Sequence, residues 1–326
     1  MPRHKVCGEF VSAESLDLLT DLLAPSYAAI LQDALRISAA RLFLDGRTIH
    51  APVNPAAASI ARFDLDASLW MSAANAGVEA SDRITVESVV GFGSFQVTTS
   101  AGNFESRTVI NASGRWSKLN NASGSPAEKW LGLKAHFAES SPPASVDLYF
   151  FDEGYCGVQP VRLAGGGAGR INACAMIRAS AASTFDQVCR LHPGLQARSK
   201  NWQSLMDPVS TSPLFFGKPQ AQKNGILLAG DAAGFVDPFI GDGISLALRS
   251  GALAAQSLTP FLRGKVPLTD CIRSYQEEYA KRFAPVFRTS RSIRKMLLLP
   301  RALRGPALSL LESVPVLTRY LVSRTR

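Results

Sequence analysis

The sequence predicts a mixed α/β protein in which a second domain could start in the loop-rich residues after 119. Three observations favour this architecture. The 326 residues suffice for about two domains. The middle of the chain contains successive strand patterns, whereas both ends mix strand and helix patterns. A buried strand pattern at 226–230 is followed by a glycine-rich helix start, as in doubly wound folds.

The first half of the chain gives the clearest local signals. Residues 12–23 predict a short helix, and residues 59–77 have apolar side chains at helical spacing before a terminating glycine. Asp45-Gly46 predicts a hairpin turn, because this dipeptide adopts the positive φ angles that tight hairpins need. Residues 84–112 contain strand patterns separated by glycines, which predicts a small meander.

The second half of the chain contains further strand patterns, and helix patterns follow them. A helix is expected over 184–203, and a helix of small residues from about Ile244 to Ser257. The cluster Gly165–Gly169 is followed by a strand pattern, so we interpret it as a turn between antiparallel strands and not as a phosphate-binding loop. The expected strands are 146–151, 155–161, 171–177 and 226–230.

The formal net charge of +9 is confined to the end of the chain. Residues 281–326 hold 11 Lys/Arg against one acid, so the rest of the chain has a net charge of −1. A nucleic-acid binder would have its basic patch on the globular body, so no nucleic-acid partner is expected. We expect 261–326 to form a basic helical region. An apolar stripe over 307–321 beside the arginines predicts peripheral contact with an anionic membrane, and packed helices with solvated arginines are the alternative.

Cysteine usage and hydropathy indicate the compartment. The five cysteines are scattered without a Cys-x-x-Cys or Cys/His cluster, so neither a metal site nor a disulfide framework is predicted. The N-terminus lacks the apolar core of a secretory signal, and no run of 18 apolar residues is free of charge. These features predict a cytoplasmic protein, with peripheral contact at the inner face of the membrane.

The segment 225–251 carries the clearest functional signal. Its strand ends in Gly230-Asp231, where glycine admits a ligand close to the backbone and the carboxylate can accept hydrogen bonds from the hydroxyls of a sugar-like chain. Gly241-Asp242-Gly243 then stands at the start of a helix, where free N–H groups and the helix dipole favour negative charge. Two acids in an apolar, glycine-rich segment indicate a ligand.

The order Gly230-Asp231, Pro238 and Gly241-Asp242-Gly243-Ile244 resembles the second flavin motif of the para-hydroxybenzoate hydroxylase superfamily. It is most similar to the geranylgeranyl-reductase-like FAD-dependent oxidoreductases, with aspartate at position 242 where they usually have glutamate. The resemblance implies an FAD-binding Rossmann-like domain from residues 1–118 and 221–260, with an inserted antiparallel-sheet substrate domain over 119–220. It spans roughly residues 3–290.

Three further segments resemble cofactor-binding segments of the same family, in the same order. Residues 3–10 are similar to a loop whose basic residue lies near the ribose and pyrophosphate and whose Cys-Gly lies near the flavin ring. Residues 59–69 resemble a helix whose arginine faces the cofactor. Residues 109–117 resemble the strand and turn that close over the pyrophosphate, with Ser117 as a hydroxyl donor. The implied FAD-binding residues are Arg3, Cys7, Gly8, Arg62, Gly114, Gly230, Asp231, Pro238, Gly241, Asp242, Gly243 and Ile244.

The middle of the chain resembles the substrate-domain sheet of the family. Residues 133–137 and 154–158 carry the similarity, and the aromatic and histidine side chains around them are candidates for a substrate pocket. Core packing is the alternative for each of them, and no catalytic residue is assigned. The candidates are His136, Phe150, Phe151 and Tyr155.

The resemblance implies an FAD-dependent oxidoreductase, either a reductase or a monooxygenase. Its substrate would be a hydrophobic small molecule, isoprenoid or aromatic, and NAD(P)H would be the reductant without a Rossmann domain of its own. A halogenase is disfavoured, because the Trp-x-Trp-x-Ile-Pro signature of halogenases is absent from the sequence.

A second hypothesis comes from a feature of the family that the sequence lacks. The family begins with a strand–GxGxxG–helix unit for the pyrophosphate, and the 326 residues contain none. We expect either an upstream reading frame that encodes this unit or a catalytically impaired scaffold. In the second case the protein would be a non-catalytic, lipid- or membrane-surface-binding protein, and flavin absorbance after purification separates the two hypotheses.

Overall fold

A computed structural model describes residues 3–115, 119, 129–162, 169–211, 214, 216–297, 299–300 and 303–306. In chain order the strands are β1 (Phe10–Val11), β2 (Leu35–Leu44), β3 (Arg47–Ser59), β4 (Val86–Gly91), β5 (Phe95–Thr99), β6 (Gly102–Ser106), β7 (Ile110–Asn111), β8 (Trp130–Ala138), β9 (Ser145–Phe151), β10 (Gly154–Pro160), β11 (Arg170–Arg178), β12 (Gln203–Ser204), β13 (Val209–Thr211), β14 (Gln222–Lys223) and β15 (Ile226–Leu228). The helices are α1 (Leu16–Leu22), α2 (Ala29–Gln32), α3 (Arg62–Asn75), α4 (Phe185–Arg190), α5 (Pro193–Ser199), α6 (Gly243–Leu262) and α7 (Leu268–Leu297).

A large sheet forms the centre of the molecule. Its strand order is β1-β3-β2-β9-β10-β11-β8-β12, and β13 also pairs with β8. The pairs are antiparallel except β2–β9, in which Ala39 lies opposite Ser145 in a parallel register. One face of this sheet is covered by α4 and α5, which bury Phe185, Val188 and Leu195 against it. The other face borders the cavity described below.

The β2–β3 hairpin confirms the turn predicted at Asp45-Gly46. Both residues have positive φ, 53° and 77°, which is the geometry of a two-residue hairpin turn. The register runs from Leu44 opposite Arg47 to Leu35 opposite Ser59. The hairpin belongs to the large sheet, so residues 35–59 pair with strands of the substrate sheet although we expected 1–118 to belong to the FAD-binding domain. Long-range strand pairing thus joins residues 35–59 to strands of 119–220 in one sheet. The domain division at residue 118 stays a prediction.

A smaller unit contains the glycine-rich segment. β15 pairs in parallel with β7, with Leu227 opposite Ile110 and Leu228 opposite Asn111, and β14 adds an antiparallel edge. Helices α6 and α7 cover β15 and share a buried core with it. The meander predicted over 84–112 is confirmed for the antiparallel sheet β4-β5-β6, which ends at Ser106, whereas its predicted last residues form β7 in the other sheet. The predicted helices 12–23, 59–77 and 184–203 correspond to α1, α3 and the pair α4 and α5.

The basic C-terminal region begins as a long, well-packed helix. α7 buries Tyr275, Phe283, Val286 and Phe287 in the core that it shares with β15. Packed helices are therefore the correct description up to Leu297, and the expected apolar stripe at 307–321 lies outside the described residues. Within the described part of the chain, no helix combines the length and the apolar character needed to cross a membrane.

Replacing Tyr275 by Phe tests how α7 is fastened to β15. The Tyr275 hydroxyl is buried and donates a hydrogen bond to the Leu228 carbonyl at 2.6 Å. Its loss leaves that carbonyl short of one donor while the ring packing remains, so the free energy of unfolding should fall by about 1 kcal/mol. Urea denaturation of both proteins measures the difference. An unchanged midpoint would show that the hydrogen bond makes no net contribution.

Candidate cofactor and substrate site

The parallel pairing of β7 and β15 creates one edge rich in glycine. The Ala229 N–H donates to the Asn111 carbonyl at 3.0 Å, so both strands end at the same level. Gly114 follows one strand and Gly230 the other, each with positive φ. A Cβ at Gly230 would stand 3.2 Å from the Cβ of Ala247, which explains why this turn beside α6 needs glycine.

A cavity of about 1190 Å³ separates this glycine-rich edge from the large sheet. Gly8, Gly114, Gly243 and Gly251 all line it, and a Cβ added at any of them would meet no atom within 4 Å. Bare backbone therefore borders open space at several points of the wall. This is the form of surface that lets a ligand approach peptide groups closely.

The charged groups at the edge belong to both halves of the chain. Asp231 lies in a 3-10 turn, Gly230–Ala232, directly after β15. Burial raises the pKa of Asp231, and the positive charges of Arg115 and Arg62 oppose that rise. Arg62 is held by Asp66 one turn along α3, at 2.9 Å. One carboxylate and two guanidinium groups thus face the cavity from separate elements.

The N-terminus of α6 points at the same cavity. Pro238 starts a 3-10 turn that ends at Gly241, whose φ is 77°, and Gly243 is the first residue of α6. The first N–H groups of a helix have no partner within it, and the helix dipole adds positive potential there. The site therefore favours an anionic or carbonyl group beside Gly243.

Asp242 lies between these glycines, yet its side chain is turned away from the cavity. It is 1% exposed and accepts a hydrogen bond from the Ser12 hydroxyl at 3.1 Å. Its Oδ2 atom is buried without a hydrogen-bond partner among the described residues. Burial raises the pKa of Asp242 to about 6, although the Ser12 hydrogen bond and the charge of Arg249 act in the opposite direction.

The opposite wall of the cavity is an apolar face of the large sheet, which we term the apolar chamber. Alternate residues of each strand point to this side, as the two-residue period of a strand requires. The end of α7 closes the chamber with Ile293, Met296 and Leu297. The chamber residues on the strands are Ala40, Leu42, Leu44, Ile49, Ala51, Val53, Val146, Leu148, Phe150 and Tyr155.

A buried ion pair fixes the wall of the chamber next to α7. Arg294 contacts Asp237 at 2.6 Å, and its guanidinium carbon lies 3.8 Å from the Phe216 ring centroid and 4.8 Å from that of Trp130. The Tyr155 hydroxyl donates to Asp237 at 3.4 Å. Burial raises the pKa of Asp237, against the effect of the Arg294 charge. The aromatic rings on Arg294 and its ion pair together hold the end of α7 against β10.

Most of the residues predicted from the sequence line this one cavity. The structure brings together Arg3, Cys7, Gly8, Arg62, Gly114, Phe150, Tyr155, Gly230, Asp231, Pro238, Gly241, Gly243 and Ile244. Asp231, Arg62 and Gly114 therefore share a cleft, as the family resemblance required. Ser117 and the predicted turn at 165–168 lie outside the described residues. The flanking strands β10 and β11 are antiparallel, in agreement with the turn interpretation.

Three predicted residues are placed differently. The Asp242 side chain does not line the cavity, because it faces Ser12. His136 does not line it either, since Glu9 covers it: His136 Nε2 lies 2.8 Å from Glu9 Oε2. Phe151 borders a small pocket beside the chamber and not the chamber itself.

Sequence reasoning missed Glu9 and Lys134, a buried ion pair in which Glu9 lines the cavity and Lys134 lies behind it. The available signal was polar residues in an apolar strand: Lys134 and His136 are two apart in β8 and therefore share one face.

No family model matches the chain. A segment of 149 residues is 27% identical to digeranylgeranylglycerophospholipid reductase 2 of Methanopyrus kandleri, and it covers 44% of this chain and 36% of that reductase. The chain thus matches about a third of the length of this curated relative.

Solved structures with the same fold cover nearly the whole chain. A flavoprotein/dehydrogenase from Cytophaga hutchinsonii gives a TM-score of 0.75 at 17% identity, covering 100% of this chain and 84% of its own. A geranylgeranyl bacteriochlorophyll reductase-like protein from Thermoplasma acidophilum gives 0.74 at 19% identity, covering 99% and 87%. Flavin-dependent halogenases share the fold too, and one of them was solved in complex with FAD. The predicted fold class is confirmed, and so is the predicted resemblance to geranylgeranyl-reductase-like proteins.

Asp242→Asn should remove a pH-dependent loss of stability. The unfolded chain loses this proton near the ordinary value of 3.8, whereas the folded protein keeps it up to about 6. Stability therefore falls as pH rises through this window and stays reduced above it. The Asn variant keeps an acceptor for Ser12 and carries no charge, so above the window it should be more stable than wild type by up to ~3 kcal/mol.

Urea denaturation of wild type and Asp242→Asn across the window measures this effect. The two proteins should be equally stable at the acid end and diverge towards neutral pH. Parallel stability curves would mean that Asp242 does not titrate in this window.

Proposed function

We propose that the chain is an FAD-dependent oxidoreductase that acts on an apolar small molecule, with NAD(P)H as the external reductant. The observation that supports this is the cavity itself, which joins a glycine-rich strand edge and a helix N-terminus to an apolar sheet face. Ligand pockets commonly measure about 300–1,000 Å³. A cavity of about 1190 Å³ is large enough for a cofactor and part of a substrate side by side.

The residues present fit FAD at the glycine-rich edge. The bare backbone at Gly8 and Gly114 would allow close approach, and Asp231 would accept hydrogen bonds from the sugar-like chain. The free N–H groups at Gly243 would favour negative charge on the cofactor. When bound, FAD supplies hydride transfer chemistry, which protein side chains alone cannot perform. The protein's task is to orient the cofactor and to tune its charge.

The apolar chamber supports a hydrophobic substrate. Its strand residues and the end of α7 offer hydrocarbon surface, so an apolar molecule gains free energy by leaving water there. Of two curated relatives, the one matched over the longer segment is a reductase by name, which supports reduction over hydroxylation as the reaction, and the other, matched over 59 residues, is a tryptophan 2-halogenase. The same fold serves halogenases, but the signature expected of a halogenase is absent from the sequence.

Asp231→Ala should weaken FAD binding. The carboxylate lies at the cavity wall beside Arg115 and Arg62, and its loss removes a charged acceptor. A hydrogen bond to a charged group contributes about 1.5–3 kcal/mol, so the Kd for FAD should rise by about 10- to 150-fold. Quenching of flavin fluorescence on binding measures the Kd. As a control, Asp186→Ala removes a carboxylate from α4 on the far side of the large sheet.

If Asp231→Ala binds FAD with wild-type affinity, Asp231 does not belong to the proposed site. Wild-type protein that takes up no FAD would contradict the proposed function and favour the non-catalytic, lipid-surface alternative.

We also propose a peripheral membrane contact along α7. The exposed side chains of Lys281, Arg288, Arg291 and Lys295 are spaced by seven, three and four residues, so they share one face of the helix. Beyond the helix, Leu299 and Leu303 are 42% and 65% exposed. Basic groups beside exposed leucines are the composition of a surface that binds anionic lipid. The same helix lines the apolar chamber on its other side, which would bring an apolar substrate close to the membrane.

Replacing Arg288, Arg291 and Lys295 by Ser should abolish flotation with vesicles of phosphatidylcholine and phosphatidylglycerol. These side chains are exposed, whereas deleting the region from residue 286 would also remove the buried Val286 and Phe287. Wild-type binding should weaken with salt, because charges are screened beyond about 8 Å at physiological ionic strength.

A control variant with the same charge change replaces the exposed residues Arg83, Lys200 and Arg263 by Ser. The proposed membrane contact would be contradicted if both triple variants floated equally. It would also be contradicted if the wild-type protein did not float with vesicles at low salt.

A further inference from the structure

A buried ionic cluster lies at the cavity wall, with Glu9 among the lining residues and Lys134 and His136 behind it. Glu9 and Lys134 are 0% exposed and His136 is 1% exposed. The Glu9 carboxylate contacts the Lys134 ammonium through Oε1 and His136 Nε2 through Oε2, the latter at 2.8 Å. Lys134 and His136 belong to β8, whereas Glu9 ends the loop that precedes β1. The cluster therefore joins the N-terminal loop to the large sheet.

Glu9 also holds the start of α3. Its Oε1 atom accepts the Arg62 backbone N–H at 2.9 Å. The residue before the helix, Ala61, offers no side-chain cap, so a carboxylate from another element serves that purpose. A negative charge at a helix N-terminus is also favoured by the dipole. The position of Arg62, which faces the cavity, thus depends on Glu9.

The backbone around Glu9 is fixed just as firmly. Glu9 has φ of 60°, a left-handed conformation that is uncommon for a residue with a side chain. Its carbonyl accepts hydrogen bonds from the Ile60 N–H at 3.0 Å and from Gln159 at 3.1 Å. The side chain of Asn172 donates to the Cys7 carbonyl at 3.0 Å. Strands β10 and β11 therefore hold the segment Cys7–Glu9 in place.

Stability alone does not account for this arrangement. Charged groups lose their hydration when buried, and apolar residues of similar volume often stabilise a core equally well. Burial alone would raise the pKa of Glu9, but the His136 hydrogen bond and the Lys134 charge outweigh it and keep that pKa below its usual range. Glu9 is therefore ionised at neutral pH. Its contacts end at a segment that lines the cavity, which indicates a role in the site.

We propose that Glu9 is a positioning residue, which holds Cys7-Gly8 and the start of α3 at a fixed place relative to the large sheet and so sets the cofactor against the apolar chamber. This inference rests on the proposed function, since it concerns the same cavity. Glu9 acts through its neighbours: Lys134 and His136 fix its carboxylate, and the carboxylate fixes Arg62. Glu9 therefore fixes the position of the cofactor half of the cavity relative to the substrate half.

The test compares two charge-neutral double variants of the full chain. Glu9→Leu with Lys134→Met removes the proposed anchor, including the acceptor for the Arg62 N–H, without leaving a single buried charge. Asp147→Asn with Arg198→Gln removes an ion pair between β9 of the same sheet and α5, away from the cavity. Both variants should lower the Tm, because each removes buried polar contacts. Only the Glu9 variant should raise the Kd for FAD, by about tenfold, and shift the visible spectrum and midpoint potential of bound FAD.

Wild-type Kd, spectrum and potential in the Glu9 variant would overturn the proposal, and so would equal changes in the control variant. Hydrogen exchange of the flavin-free proteins gives a measurement that does not depend on the proposed function. The amides of residues 7–9 and 60–62 should exchange faster in the Glu9 variant only. If wild type binds no FAD, the proposed function fails, whereas unchanged exchange in these residues contradicts the role of Glu9 itself.

Discussion

The parallel pairing of β7 with β15 is the interaction on which the site depends. It consists of few hydrogen bonds, among them Leu227 N–H to Val109 at 3.1 Å and Ala229 N–H to Asn111 at 3.0 Å. The two strands come from distant parts of the chain, with the antiparallel strands of the large sheet between them in sequence. Because the strands are parallel, their carboxyl ends meet, and the turns after them share one edge. The apolar packing of α6 and α7 on β15 stabilises this short pairing.

The large sheet imposes a second constraint, because its apolar faces must be covered. A sheet with both faces apolar must be covered on both sides, and here α4 and α5 cover only one. The other face is left beside a cavity, with α7 and the glycine-rich edge forming the far wall. A protein that leaves so much apolar surface uncovered forgoes stabilisation that a packed core would provide. The proposed function assigns this space to an apolar ligand.

The parts of the site formed by consecutive residues could be predicted from the sequence. The parts formed by pairing between distant strands could not. Gly230-Asp231 and Gly241–Ile244 could be identified because strand end, turn and helix start follow each other in one segment. The hairpin turn at Asp45-Gly46 was predictable for the same reason, but its membership of the large sheet was not, since the β2–β9 pairing joins residues about a hundred positions apart. His136 was correctly placed in a sheet strand. The alternation of side chains along a strand predicts which face of the sheet His136 points to. It does not show that Glu9 lies on that face and separates His136 from the cavity.

Buried carboxylates at the cavity wall show how the loops around an open space are kept in place. Loops beside a cavity lack packing partners on one side, so polar contacts must fix them. Glu9 is paired with Lys134, and Asp237 with Arg294, and each pair ties a cavity-lining segment to a neighbouring element. Asp242 has hydroxyl partners only and keeps one oxygen without a partner among the described residues, so its ionised form is the least favourable of the three. The paired carboxylates thus tie cavity-lining segments to their neighbours, whereas Asp242, which faces away from the cavity at the α6 N-terminus, is a carboxylate whose ionisation is opposed by burial.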